Sequence, residues 1–64
     1  MNKAITVIKK EIMVLEEIKK ELQLQWDFTD ANHPALQIHI ASRITFVDGA
    51  LTALNRLLNK LEEQ

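Results

Sequence analysis

Sixty-four residues without a cysteine allow one small domain and exclude both a disulfide and a thiolate zinc site. Eight basic residues against nine acidic ones give a net charge of −1, and the signs are interspersed. Residues 1 to 26 carry five Lys and four Glu, and residues 34 to 64 carry two Arg, one Lys and three acids, so no basic stripe marks a dedicated nucleic-acid binder.

A chain this short buries roughly 60% of the surface that its unfolded state exposes, which leaves an isolated copy marginal. With disulfides and thiolate zinc gone, oligomerisation is the remedy that the composition leaves open. Lys and Glu interrupt every apolar stretch well short of the ~20 residues that span a bilayer. No uninterrupted apolar run followed by a small-residue cleavage site reads as a signal peptide. The expectation is a soluble, cytoplasmic protein.

Residues 2 to about 26 are expected to form the first helix. Asn2 suits the N-cap, because its side-chain oxygen can accept from a free amide of the first turn. Ile5, Ile8, Ile12, Leu15 and Leu22 repeat at three-four spacing, and Trp26 continues the row. Lys19 breaks it, with Ile18 alongside to supply apolar contact. Ala4, Val7, Val14 and Ile18 widen the stripe on one side. Ile8-Lys9-Lys10-Glu11-Ile12 recurs as Ile18-Lys19-Lys20-Glu21-Leu22, but ten residues rotate the copy by about 80°. The two copies present different faces, as charged-helix composition would.

Residues 27 to 33 read as a connection. Asp27, Thr29, Asp30, Asn32 and Pro34 form turns and caps, and Pro34 disfavours helical geometry at His33. So short a link joins antiparallel neighbours.

The second helix is expected over residues 34 to about 62, with Pro34 tolerated in its first turn. Ile40, Ile44, Val47, Leu51, Leu54, Leu58 and Leu61 form an unbroken seam of coiled-coil type, spaced four and three in turn. Leu36, Phe46, Ala50, Ala53 and Leu57 broaden the seam beyond what a two-stranded coiled coil needs. Residues 38–47 are rich in β-branched types and alternate in part, which also suits strands. A hairpin there would turn at Ala41-Ser42 without the Gly or Asn that tight hairpins favour, and the seam crosses the region without a phase change, so helix is preferred. Gly49 costs a helix about 1 kcal/mol relative to Ala. It marks either a kink after Asp48 or a close approach by a neighbouring helix beside Ala50 and Ala53.

Little in the chain offers catalysis. His33 and His39 stand six apart and fall on different helix faces, unlike an i, i+4 metal pair. Asp30 and His33 have the i, i+3 spacing of a carboxylate–histidine ligand pair. Di-iron bundles use that motif twice, with Glu, in the core; here it occurs once, with Asp, in a connection, and reads as a turn. One glycine excludes a glycine-rich phosphate loop. No nucleophile–base set can be assembled, so the reading is not an enzyme, without cofactor or metal.

Glu11, His39 and Arg43 occupy positions where apolar residues belong. If the chain folds about residue 30, Glu21 faces His39 and Glu17 faces Arg43. These four, with Trp26, form a candidate polar patch. It is either an inter-helix ion-pair cluster that fixes register or a partner-binding or pH-sensitive surface. Trp26 and Phe28 are expected to plug the end of the bundle, the other role being a partner anchor.

The whole predicts an all-α antiparallel helical hairpin that dimerises into a four-helix bundle. The expected oligomer interface comprises Ile5, Ile8, Ile12, Leu15, Leu22, Ile40, Ile44, Val47, Leu51, Leu54, Leu58 and Leu61. The expected function is that of a small regulatory or adaptor protein acting through contact with itself and with another protein. The alternative is a nucleic-acid-binding bundle using Lys9, Lys10, Lys20, Arg43 and Arg56, and no membrane partner is expected.

Overall fold

The computed structural model describes residues 2–63. Two helices, α1 (Lys3–Phe28) and α2 (Pro34–Glu62), pack against one another as an antiparallel hairpin. The described residues contain no strand.

α1 starts where the cap chemistry sets it. Asn2 is extended, and its Oδ1 accepts from the Ala4 amide at 2.9 Å, which satisfies one of the free donors of the first turn. The helix then runs two residues beyond the expected end. Thr29 stops it: the Thr29 N–H donates to the Trp26 carbonyl at 3.1 Å, and the Thr29 hydroxyl donates to the Gln25 carbonyl. Two otherwise free C-terminal carbonyls are satisfied by one residue, so Asp27 and Phe28 stay helical instead of joining the connection.

Residues 29–33 form the link. Asp30 organises it, its Oδ1 accepting from the Asn32 amide at 3.2 Å and its backbone carbonyl from the His33 N–H at 3.0 Å, an Asx-type turn. His33 is held out of the helical region (φ −123°, ψ 67°) by Pro34, which fills the first turn of α2.

α2 continues from Pro34 to Glu62 through the β-branched stretch and through Gly49. Two features make helix the outcome over residues 38–47. Ile40 and Val47 are buried and Ile44 half-buried at helical spacing, whereas alternation would leave part of that row in water. The Thr45 hydroxyl also donates to the Ala41 carbonyl at 3.0 Å, as Thr52 does to Asp48 at 2.9 Å. Gly49 neither breaks the helix nor admits α1, since a methyl group built there meets nothing within 4 Å.

The core is thin. Among the described residues, Ile8, Ile12 and Leu22 of α1 and Ile40 and Val47 of α2 are buried. Ile5, Leu15, Ile18, Ile44, Leu51, Leu54, Leu58 and Leu61 are half-buried along the same line. The Cα trace measures 50 × 14 × 11 Å with a radius of gyration of 14.9 Å, against about 11 Å for a compact domain of this length. The molecule is a rod one helix thick.

Candidate functional site

The rod has two long flanks, and the chemistry divides between them. In an antiparallel pair the same side of each helix, taken relative to its seam, lies on the same side of the hairpin. One flank holds both ion pairs. Lys9 Nζ lies 3.6 Å from Glu62 Oε2, and Lys19 Nζ lies 2.6 Å from Asp48 Oδ1. Between them Glu16, Lys20, Gln23 and Asn55 line a polar groove with Leu51 at its base. Trp26 closes this flank near the link, in a groove with Gln23, Asp27, Ala41, Ile44 and Thr45.

The other flank is largely apolar. On α1 the row Ala4, Val7, Glu11, Val14 and Ile18 keeps three-four spacing, as does Leu36, His39, Arg43, Phe46, Ala50, Ala53 and Leu57 on α2. That these two rows share a side is seen directly, because Leu15 and Ile18 line one groove with His39, Arg43, Phe46 and Val47. The two rows are far from covered: Phe46 is 77% exposed, Val7 59%, and Val14, Leu36 and Leu57 each about half. Glu11 and Arg43 interrupt the apolar stretch of the two rows, which Glu21 and Lys60 continue at the same spacing, and none of the four has an ion-pair partner among the described residues.

The residues expected to meet a second copy divide accordingly. Ile8, Ile12, Leu22, Ile40 and Val47 are already buried between the helices of a single chain. Ile5, Leu15, Ile44, Leu51, Leu54, Leu58 and Leu61 retain partial exposure. Exposed apolar side chains lie in the flanking rows and also at Met13, Leu24, Phe28 and Ile38.

The expected cluster of Glu17, Glu21, His39 and Arg43 does not assemble. Glu17 borders the polar groove, while His39 and Arg43 line the apolar one. No ion pair joins the four.

Of the two aromatics expected to plug the end of the bundle, Trp26 lies against Ala41 and Ile44 of α2 near the link, and Phe28 stands in solvent in the single hairpin. α1 continues through Phe28, which is 86% exposed, while Trp26 is 42% exposed. Asp30 and His33 stand in the link without a mutual contact, Asp30 being engaged by Asn32. The Lys19–Asp48 pair escaped the sequence reading, although the break that Lys19 makes in the seam was a signal for it.

Among the described residues no three His, Asp or Glu side chains gather as metal ligands, and no helix is long and apolar enough to cross a membrane. Comparison with known proteins finds no matching family model, no matching curated protein and no matching solved structure.

Proposed function

We propose that this chain is a small, non-enzymatic regulatory or adaptor protein of the cytoplasm that works through protein–protein contact as a homo-oligomeric helical bundle, without a cofactor. The observation that carries the reading is the open apolar flank. The hairpin presents 5202 Å² to solvent, whereas a compact monomer of its 7.4 kDa mass presents about 4,200 Å². The surplus of roughly 1,000 Å² is comparable to the ~800 Å² that each partner buries in a standard interface. Its composition agrees, since an exposed Phe ringed by Val, Leu and Ala is what contiguous contact surfaces contain.

A nucleic-acid-binding bundle is less well supported. Of the basic residues it would use, Lys9 faces Glu62, Lys20 borders a groove with Glu16 and Glu17, and Arg43 stands among apolar side chains. No surface concentrates positive charge for a phosphate backbone.

Sedimentation at micromolar concentration tests the assembly: a dimer or larger species is expected, and a folded monomer throughout would sink the reading. Capture of a host protein that survives high salt, and fails with Phe46→Asp, would extend it to a second partner. Nucleic acid captured with a steep loss on adding salt would overturn it in favour of the alternative.

A further inference from the structure

Resting on that dimeric reading, we propose that the occupant of the apolar flank is a second copy docked with its link at the same end, so that α1 of each chain packs against α2 of the other. The two rows of the flank differ in the sign of their charge. The α1 row, continued through Glu21, carries Glu11 and Glu21 and no base; the α2 row, continued through Lys60, carries Arg43 and Lys60 and no acid. His39, in the α2 row, is neutral or positive and never negative. All five side chains are exposed, and none has an ion-pair partner among the described residues. On the polar flank the signs are reversed and already matched within one chain, Lys9 and Lys19 of α1 meeting Glu62 and Asp48 of α2. The apolar flank keeps an acidic row and a basic row unpaired.

Most homodimers are related by a twofold axis, and two flanks laid face to face admit one along the rod or one across it. An axis along the rod keeps the links together and sets α1 of each copy opposite α2 of the other, acids facing bases. An axis across the rod puts the links at opposite ends and sets α1 on α1 and α2 on α2. Acids then face acids and bases face bases wherever along the rod the axis falls, because neither row carries a charge of the second sign. Like charges juxtaposed across an interface are strongly disfavoured, and complementary ones fix orientation.

An axis along the rod also preserves height, so side chains level within one hairpin are level across the pair. Leu15 and Ile18 share a groove with His39, Arg43 and Phe46. Across the interface Phe46 therefore lies level with the partner's Ile18, which gives its exposed ring an aliphatic contact. Glu21 stands one turn, about 4.5 Å, from Ile18 toward the link, within side-chain reach of the partner's His39 and Arg43. Two acids and two bases make the flank complementary to itself. That balance, with a surplus of surface comparable to one side of a standard interface, fits a second copy better than a partner of a single charge sign.

The native sequence has no cysteine, so Ala31→Cys places a single spin label in the exposed link of each chain. Pulsed electron paramagnetic resonance on the full-length dimer should give a separation of about 20 Å, two helix diameters. A separation of about 40 Å would overturn the links-together arrangement while leaving the dimer intact. A single-chain mass for the native protein in sedimentation would remove the reading on which the arrangement rests. Charge reversal tests the flank itself, scored by sedimentation with helicity followed by circular dichroism. Glu11→Lys with Glu21→Lys makes both rows basic, and Arg43→Glu with Lys60→Glu makes both acidic. Each variant alone should self-associate more weakly by about tenfold, and mixing the two should restore assembly as a heterodimer. Variants that self-associate as tightly as the native chain, or that stay apart when mixed, would refute the flank as the contact.

Discussion

Gly49 is the residue whose identity the hairpin itself does not require. It lies within a continuous helix, and an added methyl group meets only open space. Replacement by alanine removes backbone freedom from the unfolded chain and adds no clash, so Gly49→Ala should stabilise by about 0.5–1 kcal/mol. Reversible urea unfolding would register this as a higher midpoint at unchanged slope. A loss of stability would mean that another helix approaches the backbone at this point. Asn2 gives a prediction of opposite sign. Its Oδ1 caps the Ala4 amide, so Asn2→Ala should cost about 1 kcal/mol, with fraying confined to the first turn in amide exchange. The Lys19–Asp48 pair is half-exposed, and Lys19→Ala should change stability by less than about 1 kcal/mol.

The energetics of each helix reside in its apolar seam. Leu54 occupies the seam of α2 half-buried, while Lys10 is in water on α1. Leu54→Asp should therefore abolish helicity and assembly together, because a charge there must be desolvated at a cost exceeding what so thin a core holds. Lys10→Ala should alter neither, and circular dichroism beside sedimentation separates the two outcomes. Both helices, the Asn2 cap and the start of α2 at Pro34 were legible because each rests on local chemistry. The end of α1 was not, since Thr29 extends the helix by reaching back to two carbonyls that any turn-former could have left to water. Register was also hidden. A seam repeating every seven residues pairs almost as well after sliding, and which side chains share a groove, Leu15 and Ile18 with Arg43 and Phe46, is seen only in the packed hairpin. The expected polar cluster fails on facing, because Glu17 borders one groove while His39 and Arg43 line another. The apolar rows of the candidate site were readable one helix at a time. Their union on one flank depended on how the two helices face each other.

For the molecule as a whole, folding and assembly are expected to be linked. With five buried side chains among its described residues and a broad uncovered flank, the rod would gain much of its apolar burial from the proposed second copy, and mass action would then set its stability. The thermal midpoint should rise with protein concentration over the micromolar range, more steeply than for any monomeric domain. A midpoint independent of concentration would show that the hairpin holds its fold alone. Phe46→Ala should lower the midpoint at high concentration more than at low, since Phe46 is mostly solvent-exposed within one chain and contributes chiefly once covered.

Trp26 is the sole tryptophan, and it lies on the flank of the ion pairs, against Ala41 and Ile44 of α2. That placement makes it an optical reporter of one event only. Parting of the two helices strips α2 from one side of the indole and should shift its emission to the red. A second copy arriving on or leaving the far flank should pass unseen. Followed together with a label on the Phe46 side, it would time the opening of the hairpin separately from the separation of the pair.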